Sequence, residues 1–268
     1  MSYRKTVAVV RLDLSSNSRM YAESIDEVLE HISSNVTLLL CLSSVNSLHD
    51  FISGRRKYNN YRNYVRNITK KLISVARKRK VSIVITPIIR KGGDKAHFST
   101  GIIPPLGQPL FKAGNILPIN DKILANKTPE LFEVGGIKLC FIYLKELEVP
   151  EVARICKFLG SDTIVAVNPP LLTERDPELT LKLGVVRAVE NNIPLVGLGG
   201  YLSNRREQQP TFLINSSGKV VDFYNDYEPA VFEVEIERLD RSVRLDLVRR
   251  YFKLIKEIST HPAYRDLP

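Results

Sequence analysis

Residues 136–151 read G-I-K-L-C-F-I-Y-L-K-E-L-E-V-P-E, and this stretch decides how the rest of the chain is read. From Ile137 to Leu144 it is apolar apart from Lys138, a length and composition that suit a buried strand with Leu144 at its end. Past Pro150-Glu151 the spacing changes to that of a helix, with Val152, Ile155 and Leu159 on one side, and a second apolar run at 163–167 gives another strand. A strand, a helix and a strand in succession form the repeating unit of a layered α/β protein.

The same alternation extends in both directions. Upstream, strands are expected at 7–10, 36–42 and 81–85. They are separated by a helix over 15–31 with Met20, Ile25, Val28, Leu29 and Ile32 along one side, and by a basic helix over 58–78 whose buried stripe is Val65, Ile68, Leu72 and Val75. Residues 92–112 read as a hairpin around the turn Pro104-Pro105-Leu106-Gly107. Downstream come a helix carrying Leu179, Leu183 and Val186 on one side, then strands at 193–198, 211–214, 220–224 and 231–236. A last helix at 241–258 presents Val248, Tyr251, Ile255 and Ile258. With no internal repeat or long linker, residues 1–258 are expected to form one unit, and 259–268 a polar tail.

The 268 residues and 44% hydrophobic content are ample for a buried core. No run approaches the roughly 18 apolar residues that a membrane span needs, and the start leads directly into a strand, so the expected location is the cytoplasm. Cys41, Cys140 and Cys156 each lie in an apolar run without metal-ligand spacing or a disulfide framework, and read as small buried hydrophobes. The four histidines are far apart in sequence, and no metal or cofactor is implied. Two methionines and no tryptophan, with charge-rich helices, fit a heat-tolerant organism.

The net charge of +10 is unevenly spread. Residues 51–93 contain no carboxylate, while Lys and Arg are dense between Arg55 and Lys80. This block reads first as the solvated face of a helix, with Tyr58, Tyr61 and Tyr64 covering the core. Its charge also suits weak, sequence-independent nucleic-acid binding.

Residues 136–151 resemble the stretch G-x-K-x-G-x-x-I-C-Y-D-x-x-F-P-E of the nitrilase, or carbon–nitrogen hydrolase, family: Gly136, Lys138 and Pro150-Glu151 coincide without gaps. Further matches follow in order. Residues 186–192, V-R-A-V-E-N-N, are similar to the family's R-A-x-E-N helix end; 211–218, T-F-L-I-N-S-S-G, to its S-x-I-x-x-P-x-G hairpin; and 231–236 to its late strand. The resemblance implies a four-layer αββα sandwich and a homodimer paired through the helix after Pro150-Glu151 and the C-terminal segment.

The family's chemistry uses a glutamate base, a lysine near the oxyanion and a cysteine nucleophile. Here Leu144 occupies the cysteine's place and has no group able to attack carbon. The glutamate should follow the second strand, where Ser43 and Ser44 stand, and no glutamate occurs between Glu30 and Glu130. Asp50 and Asp94 are the nearest carboxylates in sequence. The lysine's place falls on Lys112 if Phe111-Lys112 is the anchor, or on Gly114 if Ile116-Leu117 is. Cys140 lies too deep in its strand to replace the nucleophile. Cys41, near the lost glutamate, is the alternative nucleophile, although burial should raise its pKa and make it inert. The resulting expectation is a catalytically inactive member of the fold, retained to bind a small molecule, a protein partner or nucleic acid. The competing reading is an amidase with a relocated nucleophile such as Cys41.

Overall fold

The computed structural model describes residues 4–15, 18–43, 49, 52, 58–92, 95–113, 129, 131–170, 172, 175–237 and 253. The helix expected at 241–258 and the tail at 259–268 fall outside them, except for residue 253.

Two six-stranded sheets carry the architecture. The first has the order β14-β1-β2-β3-β4-β5, from strands β1 (Arg4–Arg11), β2 (Val36–Leu42), β3 (Ser82–Gly92), β4 (Lys95–Ile103), β5 (Leu110–Ala113) and β14 (Ala230–Glu237). The second has the order β13-β12-β9-β8-β7-β6, from β6 (Leu131–Val134), β7 (Ile137–Tyr143), β8 (Thr163–Val167), β9 (Leu195–Leu198), β12 (Thr211–Ile214) and β13 (Val220–Tyr224). A small hairpin, β10 (Gly200–Leu202) with β11 (Glu207–Gln209), stands apart from both. Helices α1 (Ser18–Val28) and α2 (Tyr58–Arg79) pack on the first sheet, and α3 (Pro150–Phe158) and α4 (Pro177–Asn191) on the second. This is the expected αββα order.

The sheets lie face to face with matching edges. At one side Tyr224 of β13 stacks on Phe232 of β14, ring centroids 5.6 Å apart. At the other, Lys112 of β5 donates to the Leu131 carbonyl of β6 at 3.3 Å. Between these edges Arg11, fully buried at the end of β1, reaches across to donate to the Gln209 carbonyl at 2.6 Å. Side chains alternate along each strand, and β7 shows the result. Leu139, Phe141 and Tyr143 join the core shared with the first sheet, whereas Cys140 and Ile142 join Val152, Ala153 and Cys156 beneath the helices.

Several expectations are corrected. Cys140 and Cys156 are not isolated hydrophobes but form a disulfide, because the outward face of β7 meets the inward face of α3. Met20 is 54% exposed, and Tyr21 takes its place in the core. On α4 two of the three expected apolar residues are turned outward: Leu179 and Val186 are about half exposed, whereas Leu183 packs against the core and Thr180, Gly184, Arg187, Ala188 and Asn191 are buried. The cause is close packing on the sheet, since a Cβ at Gly184 would lie 2.9 Å from the Phe212 ring. On α2, by contrast, Ile68, Leu72 and Val75 are buried as read.

Candidate active site

The strand–turn–helix unit from β7 to α3 is built from local contacts. Leu144 begins a 3-10 helix, Leu144–Glu148, directly after β7. The Glu146 carboxylate, itself buried, accepts the Tyr143 backbone N–H at 2.7 Å and so closes the start of the turn. Arg187 of α4 holds its end, donating to the carbonyls of Leu147 and Glu148, each at 3.0 Å, and to the Glu190 carboxylate at 2.9 Å. Arg175 adds an ion pair to Glu148 at 2.5 Å. The R-A-V-E-N match thus acquires a physical role: Arg187 is oriented by Glu190 and fixes a turn some forty residues earlier in the chain.

Beneath that turn, on the face between the sheets, three buried hydroxyls form a ring. Thr100 donates to Thr86 at 2.9 Å, Thr86 to Tyr143 at 3.4 Å, and the Tyr143 and Thr100 oxygens lie 2.6 Å apart. With Tyr143 donating to Thr100, each hydroxyl gives one proton and accepts one, so all three are satisfied without water. The buried Phe98 ring lies 5.7 Å from that of Tyr143, tilted at 45° to it.

Of the three positions singled out by sequence, Ser43 and Lys112 adjoin this ring through the backbone, and Leu144 is its neighbour in sequence. Ser43, directly after β2, donates its N–H to the Thr86 carbonyl at 2.8 Å and its hydroxyl to the Pro87 carbonyl. Lys112 pairs across the strands with Thr100, and its ammonium lies 5.6 Å from the centre of the Phe132 ring. Leu144 follows Tyr143 in sequence; the structure describes its backbone but not its side chain. Ser44, Gly114, Asp50 and Asp94 lie outside the described residues.

Cys41 is turned elsewhere. Its thiol donates to the Val84 carbonyl at 3.3 Å and lies against Tyr21 of α1, and complete burial pushes its pKa up to about 12. Cys140 is consumed in the disulfide. Among the described residues no cluster of three His, Cys, Asp or Glu side chains could hold a metal ion. No helix among them is long and apolar enough to cross a membrane.

The same arrangement of sheets occurs in solved structures of an amidase from Nesterenkonia. A cysteine-to-alanine mutant of the Nesterenkonia AN1 amidase, from the nitrilase superfamily, superposes with a TM-score of 0.71 at 16% identity, over 92% of this chain and 97% of that one. The amidase from Nesterenkonia sp. gives 0.71 at 17% identity over 92% and 96%. A third structure gives the same TM-score and identity over the same shares; there the acetamide moiety of fluoroacetamide has added to the active-site cysteine.

The chain has the nitrilase-superfamily fold.

No family model and no curated protein matches the sequence. In this nitrilase-like chain, sequence reasoning passed over Thr86, Thr100 and Tyr143. Isolated hydroxyls on three separate strands carry no sequence signal until strand pairing brings them together. Glu146 was within reach, since it stands at the aspartate position of the C-Y-D motif.

Proposed function

We propose that this protein keeps the nitrilase-like scaffold without its hydrolytic chemistry, as a pseudoenzyme retained to bind a ligand or partner. The observation that carries the reading is the turn after β7. It is fixed by Glu146, Arg187 and Arg175, and its sequence has leucine at the place where nucleophilic attack needs a thiolate. The base position supports the same reading, because the Ser43 hydroxyl is spent on the Pro87 carbonyl and is no carboxylate. Lys112 alone cannot replace them, since a cation can stabilise an oxyanion but cannot form one.

The amidase alternative needs Cys41 as nucleophile. A thiol with its pKa raised to about 12 is almost wholly protonated near neutrality, and the Cys41 side chain faces the α1 layer. Purified protein should therefore hydrolyse no simple amide, nitrile or N-carbamoyl compound, and Leu144→Cys alone should restore nothing because the base is still missing. Hydrolysis by the wild-type chain that disappears in Cys41→Ala would overturn this reading.

The proposal includes a homodimer. Leu159 at the end of α3 and Leu179, Val186 and Val189 on α4 are each between 43% and 53% exposed, an apolar set suited to self-pairing.

A further inference from the structure

The outward face of α2 has a different character from every other helical surface described. Arg62, Arg66, Lys70 and Arg77 are exposed and fall within about 80° of the helix circumference, along about 22 Å of its length. Around them stand Asn59, Asn63, Asn67 and Ser74, also exposed, and the half-buried Ile73 lies within the same arc. No carboxylate occurs in the helix, and its first turn has none to complement the dipole.

A helix face that serves only solubility usually mixes signs, because a Glu and a Lys four residues apart stabilise the helix and two like charges there destabilise it. Here Arg62 faces Arg66, and Arg66 faces Lys70, at that spacing. The fold does neutralise cations where they meet another element: Lys78 pairs with Asp26 at 2.8 Å, and Arg79 pairs with Asp26 and Glu30 at 2.7 and 2.6 Å. The four outward cations have no ion-pair partner among the described residues.

We propose that this face of α2 docks the phosphate backbone of duplex nucleic acid without reading its sequence. Guanidinium, ammonium and amide groups are the side-chain donors that bind phosphate oxygens. A duplex is favoured over a single strand because the neighbouring tyrosines offer no stacking platform. Tyr61 is buried with its hydroxyl accepting the Ile89 N–H at 2.9 Å, and Tyr58 and Tyr64 are packed against the core.

The test is fluorescence anisotropy of a labelled, mixed-sequence DNA duplex titrated with the full chain across a salt series. Four phosphate contacts predict a log-log slope of about −3.6, so affinity weakens about fifty-fold when salt is trebled. The double variant Arg62→Ala/Lys70→Ala should flatten the slope by about 1.8. Alanine at exposed helix positions favours the helix, so any loss is not one of folding. Lys219→Ala, an exposed cation of the β12–β13 hairpin, should leave the slope unchanged. The proposal is overturned by no binding at the lowest salt, by an unchanged slope in the double variant, or by an equal flattening in Lys219→Ala, which would indicate diffuse net charge. Tighter binding of single-stranded RNA or of poly-glutamate than of the duplex at equal salt would overturn it as well.

Discussion

Arg187 is the residue on which the turn after β7 most depends. Its guanidinium is buried and supplies donors to the carbonyls of Leu147 and Glu148. Arg187→Met keeps much of the side-chain volume but strips both acceptors and leaves Glu190 without its partner. Leaving buried polar groups unsatisfied costs about 1–3 kcal/mol each, so urea denaturation should show a loss of roughly 3 kcal/mol. A loss below about 0.5 kcal/mol, the range of ordinary surface changes, would mean that the turn is held by other contacts. Cys41 supplies a second test at this scale. Its pKa is raised from 9.0 to about 12 by burial, so between those values the folded chain keeps a proton that the unfolded chain has lost. The contribution is complete below pH 9 and is lost as pH rises towards 12. Wild-type stability should therefore fall more steeply over that window than that of Cys41→Ala, and parallel curves would show that the thiol is not buried in solution. Against the family motif the sequence assigns Leu144 a register and shows no glutamate between Glu30 and Glu130, whereas the lysine's place stays open between Lys112 and Gly114. The hydroxyl ring was not legible, because its members are 14 and 43 residues apart and share only a place between two sheets.

Among the elements, β2, β8, β12 and β13 have the expected bounds: buried apolar runs mark β2 and β8, and the turn at Asn215–Gly218 marks the ends of β12 and β13. β6 was missed, although Gly135 and Gly136, with φ of +59° and +85°, form a two-residue hairpin turn between Val134 and Ile137. The β10–β11 hairpin was missed for another reason: three-residue strands are too short to show a period. The disulfide escaped because each cysteine was weighed in its own run, and the strand and helix faces were not compared. It ties β7 to α3 across the Leu144–Glu148 turn, with a sequence separation of 16. Closing a loop of this size stabilises by about 3 kcal/mol, in the loop-entropy account. Cys140→Ala/Cys156→Ala should lose about that much, and alkylation of unreduced, denatured protein should label Cys41 alone. Labelling of all three cysteines would show that the bridge does not form. Such a bridge is rare in a reducing cytoplasm except in hyperthermophiles.

At the scale of the whole molecule, the outward faces of α2 and of the α3–α4 layer differ in character, and the proposed partners are assigned to them accordingly. The α2 face is cationic and repels its own copy, whereas the α3–α4 layer offers Leu159, Leu179, Val186 and Val189. Self-association should therefore bury the apolar layer and leave the cationic one free. The sequence placed Leu179, Leu183 and Val186 on one inward side, which holds for Leu183 alone, because periodicity shows that a helix has an apolar side without showing which neighbour it faces. Arg187 and Asn191 decide the matter: Arg187 reaches the turn after β7, Asn191 donates to the Arg187 carbonyl at 2.9 Å, and both must face the sheet. Light scattering at micromolar concentration should report a dimer for the wild-type chain and a monomer for Val186→Asp/Val189→Asp. Each substitution is at an exposed position and should cost within about 0.5 kcal/mol of the protomer's own stability, so the monomer should remain folded by circular dichroism. A monomeric wild-type chain, or a double variant that stays dimeric, would remove the α3–α4 layer as the pairing surface and leave its exposed apolar side chains without a role.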